Sequence, residues 1–136
     1  MSAGRYMLDT NILSDMIRNP SGKAATRLRQ IGDASVCTSI VVASELRYGA
    51  EKKGSEKLTA RVEAALREVE VLALDVPADA HYGVVRSRLE SEGRMIGQND
   101  LLIAAHALAL GLTLVTDNVQ EFNRVDGLRI ENWLEG

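Results

Sequence analysis

Short apolar runs and longer stretches of helical periodicity take turns along this chain. Tyr6, Met7 and Leu8 form an apolar run that stops at Asp9-Thr10-Asn11, after which Ile12, Leu13, Met16 and Ile17 recur at helical spacing. The pattern predicts a strand, a tight turn and a helix. Asn19-Pro20-Ser21-Gly22 breaks that helix, and Ala24, Ala25, Leu28 and Ile31 predict a second one ending near Gly32. Residues 35–38 predict a buried strand, with Ser39 capping a helix over residues 40–48. After the charged stretch 51–56, Leu58, Val62, Ala65, Leu66 and Val69 mark another helix, and residues 71–74 a third strand. Pro77 opens a helix in its first turn, where a missing N–H costs nothing, and that helix runs to Glu92 and stops at Gly93. Asn99 is expected to cap an almost wholly apolar, buried helix over residues 100–110 that ends at Gly111. Residues 113–116 predict a fourth strand ending at Asp117-Asn118, residues 128–131 a fifth, and Trp133 is expected to pack the C-terminus.

Strands alternating with helices over this length imply an α/β fold, with a mainly parallel β-sheet flanked by helices on both faces. At 136 residues the chain has the size of one compact domain, and no repeat or linker divides it, so residues 1–136 are expected to form a single domain. A hydrophobic share of 46% against 26% charged excludes a disordered chain. Residues 1–5 lack the apolar core of a secretory leader, and no later run is long enough to span a bilayer. The lone Cys37 can form no internal disulfide, which fits a cytosolic, reducing compartment. The net charge of -3 and pI near 5.4 count against nucleic acid as a partner. That objection weakens if several carboxylates are gathered around bound cations.

In open parallel sheets, ligands bind beyond the carboxyl ends of the strands, and Asp9 and Asp117 each follow directly on an apolar strand. Asp100 begins a buried helix that can face the same edge. Glu45 lies on the helix that follows the second strand, with Val41 and Tyr48 on its own face and Val42 and Leu46 adjoining. Each acid has an ordinary structural explanation by itself. Glu45 could pair with Arg47 or a lysine at the core's rim, Asp9 and Asp117 could cap helices, and Asp100 could answer a helix dipole. Together, four acids converging on one edge would repel one another by on the order of several kcal/mol at short range unless cations intervene. An all-oxygen donor set without a Cys/His cluster suits Mg²⁺ or Mn²⁺ rather than zinc. Such a site suits phosphodiester hydrolysis. Thr10, Asn11, Thr116 and Asn118, beside Asp9 and Asp117, are candidates to hold metal-bound water or a phosphate oxygen, or else to cap helices and form turns.

Other chemistries fit less well. An aspartyl-phosphate enzyme would want a second aspartate at position 11, where this chain has Asn11, and neither a Gly-x-Gly-x-x-Gly nor a Gly-Lys-Ser/Thr loop is present. His106 lies on an apolar helix face, as a structural histidine would, and His81 is expected to be exposed. Cys37 is expected to pack in the sheet, and Tyr48 and Trp133 to serve the core or an interface. Arg47, Lys52, Lys53, Lys57 and Arg61 could track an RNA backbone, but Glu51 and Glu56 interleave with them as on a solvated face.

Four segments in this order resemble the PIN-domain proteins, specifically the VapC toxins of bacterial toxin–antitoxin systems. They are Met7-Leu8-Asp9-Thr10-Asn11; Ala43-Ser44-Glu45-Leu46-Arg47-Tyr48-Gly49; Ile96-Gly97-Gln98-Asn99-Asp100 running into Leu102-Ile103-Ala104-Ala105-His106-Ala107; and Leu114-Val115-Thr116-Asp117-Asn118 with Phe122. The resemblance covers nearly the whole chain. It implies a PIN fold, Mg²⁺- or Mn²⁺-dependent endoribonuclease activity, and an acidic quartet matching Asp9, Glu45, Asp100 and Asp117. It also implies a homodimer, a cognate VapB-like antitoxin that lays a C-terminal segment along the toxin, and an RNA substrate, tRNA among the candidates. The fourth acid varies in such proteins, so Asp117 is expected to tune activity rather than determine it. Residues 1–5 precede the point where many similar proteins begin. Two alternatives stay open here: a PIN-like nuclease of RNA processing, and a non-catalytic module whose acidic groove receives a basic peptide.

Overall fold

The computed structural model describes residues 5–135, so most of the segment read above for a leader lies outside the described residues. Among the described residues, five strands form one sheet: β1 (Tyr6–Leu8), β2 (Val36–Ser39), β3 (Glu70–Leu72), β4 (Thr113–Val115) and β5 (Ile130–Glu131). Their order is β3-β2-β1-β4-β5, and every neighbouring pair is parallel. The central strand pairs Met7 with Cys37 on one side and with Leu114 on the other. Successive side chains of a strand point to opposite faces. Met7 and Leu8 are both 0% exposed, so both faces of the sheet are covered. The parallel α/β architecture expected from the alternation is the one found.

The covering helices are α1 (Thr10–Arg18), α2 (Lys23–Ile31), α3 (Ile40–Lys53), α4 (Glu56–Glu68), α5 (Ala78–Ser91), α6 (Gln98–Leu110) and the one-turn α7 (Val119–Phe122). Ile12 and Leu13 of α1, Val42 and Leu46 of α3, Leu101 and Ile103 of α6 and Phe122 of α7 all join the core around Met7, Leu8, Leu114 and Val115. Trp133 is buried as expected, edge-on to Tyr6 at 5.3 Å, with its indole N–H donating to Glu131 at 3.0 Å.

Several boundaries differ from the sequence reading. Helix α3 continues to Lys53, past Gly49, and ends where Gly54 takes the left-handed conformation (φ 64°) that closes a helix at little cost for glycine. The charged residues 51–53 are therefore its last turn, with Lys52 and Lys53 placed favourably against the helix dipole. Helix α6 starts at Gln98 with Gly97 as its cap, so Asn99 is a helical residue with its side chain free for another partner. Pro77 stands just ahead of α5 rather than within its first turn. Strand β3 begins one residue early and stops at Leu72.

Leu114, fully buried between sheet neighbours, and Leu110, 45% exposed at the end of α6, provide a contrast. Leu114→Ala should cost about 2–5 kcal/mol in urea unfolding, and Leu110→Ala less than about 0.5 kcal/mol beyond its helix-propensity change.

Candidate active site

All strands being parallel, their carboxyl ends share one edge, and the two aspartates that follow β1 and β4 meet there. Asp9 caps α1 from extended backbone (φ -79°, ψ 167°), its Oδ1 accepting the Thr10 N–H at 2.8 Å. Its Oδ2 accepts the Thr116 hydroxyl at 2.7 Å. Both carboxylate oxygens are thus held by residues from two adjacent strand ends. At 5% exposed, Asp9 is a buried acid, and burial raises its pKa above the ordinary value. The Thr116 and Thr10 bonds oppose that rise, while the charges of Glu45 and Asp117 add to it.

Glu45 reaches the same place from α3. The Thr10 hydroxyl donates to its Oε1, and Asn99 Nδ2 donates to its Oε2 at 3.1 Å. Arg47, a partner that a structural role would give Glu45, instead turns its guanidinium fork to Glu63 at 2.8 and 2.9 Å. Asp117 is the most exposed of the four acids, and Asn11 Nδ2 donates to its Oδ1 at 3.0 Å. The Asn118 N–H donates to Thr116 Oγ1 at 3.0 Å, tightening the turn after β4. Thr10, Asn11 and Thr116 therefore each hold a site carboxylate directly.

A fifth acid completes the group, and the sequence reading missed it. Glu121 sits in the one-turn helix α7, where its Oε1 accepts the Gly97 N–H at 2.8 Å and its Oε2 accepts Asn118 Nδ2 at 2.7 Å. Its carboxylate neighbours that of Asp100 closely enough for the two to share a proton. The signal available was the Asn118-x-x-Glu121 spacing of a helix start, a weak one for so short an element. Gly97 is fitted to this pair. A Cβ there would stand 3.3 Å from Asp100 Oδ2 and 3.7 Å from Glu121 Oε1, so a larger residue would crowd both carboxylates.

The electrostatics follow from this crowding. Burial, then Glu121, then Asp9 and Glu45 push Asp100 up to about 7 from an ordinary 3.8. Burial works against the Glu121 carboxylate too, but the Gly97 N–H, Asn118, Asp100 and Arg124 outweigh it and keep Glu121 ionised. Asp100 is thus the proton holder of the pair. The donors are carboxylates, hydroxyls and amides. Cys37 is buried in β2, and His106 is buried with its Nδ1 on Ser39 Oγ at 2.8 Å, as a structural histidine. His81, expected to be exposed, is half-buried. Tyr48 is 65% exposed, outside the core, with Lys52 over its ring at 5.9 Å. Lys52, Lys53, Lys57 and Arg61 are exposed, as on a solvated face.

Among the described residues, no three acidic, histidine or cysteine side chains stand close enough to grip one ion directly. The arrangement fits a hard cation held by one or two carboxylates and its own waters, as Mg²⁺ prefers, rather than a closed protein cage. The raised Asp100 has a measurable consequence. Because it binds its proton more tightly folded than unfolded, its stabilising contribution is full below about pH 4 and lost as pH rises through about 7. The protein in EDTA should therefore lose thermal stability between about pH 5 and pH 7.5. Asp100→Asn should flatten that slope and raise Tm at the upper pH by a few degrees. Circular dichroism melting checks this, and a slope of opposite sign would contradict it.

Comparison with known proteins places this fold in a family. The family model for the PIN domain matches residues 6–128. Ribonuclease VapC2 of Haemophilus influenzae is 40% identical over 131 residues, covering 96% of this chain and 98% of that protein. The tRNA(fMet)-specific endonuclease VapC of Shigella flexneri is 40% identical over 130 residues, covering 95% and 98%. Among solved structures, DNA-bound VapBC from Salmonella typhimurium superposes with a TM-score of 0.89 at 38% identity, covering 96% of this chain and 98% of that one. VapBC2 from Rickettsia felis, bound to a promoter DNA fragment, superposes with a TM-score of 0.88 at 37% identity, covering 94% and 98%. With likeness of this degree along nearly its whole length, the chain belongs to the PIN-domain family, within its VapC ribonuclease group.

Proposed function

We propose that this chain is a divalent-metal-dependent endoribonuclease that acts as the toxin of a toxin–antitoxin pair, with Mg²⁺ or Mn²⁺ as its ion and tRNA as its substrate class. The observation that carries the reading is the interlocked set of carboxylates at the carboxyl edge of the sheet, in a chain whose relatives are named ribonucleases. Asp9, Glu45, Asp100 and Asp117 are the acids that hold the ion and its waters, with Glu121 as a fifth. A bound divalent ion supplies Lewis acidity toward the phosphate and lowers the pKa of a bound water. The chain's own residues do the rest. Thr116 and the Thr10 N–H orient Asp9; Thr10 and Asn99 orient Glu45; Asn11 orients Asp117; Gly97 and Asn118 orient Glu121. Without the ion the Asp100 carboxyl keeps a proton up to a pKa of about 7, and a bound cation would displace that proton and leave Asp100 a carboxylate ligand.

The acidic composition does not oppose an RNA substrate. Setting aside these five acids leaves fewer carboxylates than the 16 lysines and arginines. A groove of about 570 Å³ between α1, α2 and α4, lined by Leu13, Met16, Ile17, Leu28, Ala65 and Val69, suits an amphipathic segment of a VapB-like antitoxin. A basic side chain of that antitoxin entering the acidic site would replace the ion's charge. The exposed Ile40, Tyr48 and Val84 offer apolar surface for a homodimer. The contiguous core supports reading the chain as a single domain, and no helix among the described residues is long and apolar enough to cross a membrane; the free Cys37 suits the reducing cytosol, where we place the protein.

Purified antitoxin-free protein should cut total tRNA into discrete fragments with Mg²⁺ or Mn²⁺ and leave it intact in EDTA. Asp9→Asn should slow cleavage at least about a hundredfold, and Thr116→Val, which removes a supporting bond, by about 10–100-fold. Intact RNA throughout, from folded protein that still binds a basic peptide tightly, would favour the non-catalytic module instead.

A further inference from the structure

Helices α3 and α6 carry Glu45 and Asp100 to the site, and two polar contacts join them. Asn99 Nδ2 donates to Glu45 Oε2 at 3.1 Å, and His106 Nδ1 meets Ser39 Oγ at 2.8 Å in buried surroundings. Along α3 the contacts run from Ser39 to Glu45, and along α6 they run back from His106 to Asn99. At a rise of 1.5 Å per residue the two spans are about 9 and 10.5 Å, so the two contacts are similarly spaced along the two helices. Slipping that pair by one residue would carry Glu45 past Asp100 by about 1.5 Å. Displacements of that size can cost about a hundredfold in catalysis.

The buried rung has a definite chemistry. Ser39 Oγ accepts the Val41 N–H at 3.0 Å as the cap of α3. Its own proton is then free for His106 Nδ1, an assignment made from the network. One hydroxyl thus starts the helix that bears Glu45 and ties it to the helix that bears Asp100. Burial holds the His106 imidazole below the usual histidine range, partly offset by the Ala73 carbonyl, so the ring is neutral and able to accept. Its Nε2 is sealed from solvent without a partner in good hydrogen-bond geometry. His106 is 1% exposed on a helix face otherwise made of Ile103, Ala107 and their apolar neighbours, where leucine would pack without that cost. A buried polar side chain that is incompletely satisfied calls for a reason beyond packing.

We propose that His106 is a positioning residue, which through Ser39 fixes the register of α3 against α6 and thereby the separation of Glu45 and Asp100 across the ion site. The proposal rests on the reading of those two acids as holders of the ion. Leucine at this position removes the acceptor, whereas asparagine places an amide oxygen where Nδ1 stands and glutamine places its amide further out.

The test is Mn²⁺ binding to the full antitoxin-free chain, followed by the electron paramagnetic resonance signal of the free ion, with melting in EDTA as the control for folding. H106L should melt within a few degrees of the wild type yet bind Mn²⁺ about tenfold more weakly, the size expected for a support of metal ligands. H106N should recover most of the affinity. If H106L does not fold, the comparison of H106N with H106Q carries the same test, glutamine giving the weaker binding. Wild-type affinity in H106L, or equal losses in H106N and its comparison variant, overturns the positioning role alone, provided wild-type binding is still lost in Asp9→Asn. A wild-type chain that binds no Mn²⁺ overturns the ion-site reading and this inference with it.

Discussion

Parallel pairing of β1 with both of its neighbours is the constraint on which the rest of the molecule depends. A parallel strand can be reached only by a crossover, and crossovers put helices on both faces. Met7 and Leu8 are accordingly sealed on opposite faces of the sheet. The same pairing brings every strand's carboxyl end to one edge and aligns Leu8 with Thr38 and Val115. Asp9 and Thr116 follow directly on two of those aligned positions, which is why they reach each other across 107 residues of sequence. The site is thus a consequence of strand direction before it is a consequence of any particular acid.

That edge concentrates negative charge where water is scarce. Charge repulsion and burial both favour protonation, and Asp100 shows the combined effect most strongly. Short polar side chains keep the group organised: hydroxyls from Thr10 and Thr116 and amides from Asn11, Asn99 and Asn118 each donate to a carboxylate oxygen. Donors of this kind orient the acids without neutralising them. They leave unmet a demand for positive charge that a divalent ion, or a basic side chain from a protein partner, would satisfy. The molecule trades stability of the empty fold for readiness to bind a cation, a compromise common at functional sites.

Asp9 and Asp117 were legible in the sequence because an apolar run followed by an acid marks the carboxyl end of a buried strand. Glu45 was legible because an acid between Val41, Val42, Leu46 and Tyr48 on one helix asks for a partner. Glu121 was hidden because α7 is a single turn, too short to show periodicity, and what gives the residue meaning is the Gly97 N–H that lies 24 residues earlier. Asn99 looked like a cap because Asn commonly begins helices; the helix began one residue sooner, at Gln98, with Gly97 as its cap, which left the amide for Glu45. The length of α3 was misread because Gly49 and the charges after it have the composition of a loop, while its buried face, ending at Ala50, depends on contacts that sequence spacing does not display. Local pattern thus revealed the elements and most of the acids, and long-range contacts decided which neighbours those acids share.

In the proposed cation site, acids from separate elements meet at the sheet's carboxyl edge. Paramagnetic broadening of backbone amide signals by substoichiometric Mn²⁺ tests it most directly, in a protein of 14.8 kDa that suits such spectra. Amides around Asp9, Glu45, Asp100 and Asp117 should broaden together, while those of the exposed Glu51 and Glu56 stay sharp. Broadening scattered over the exposed acids, with the Asp9 region untouched, would contradict it.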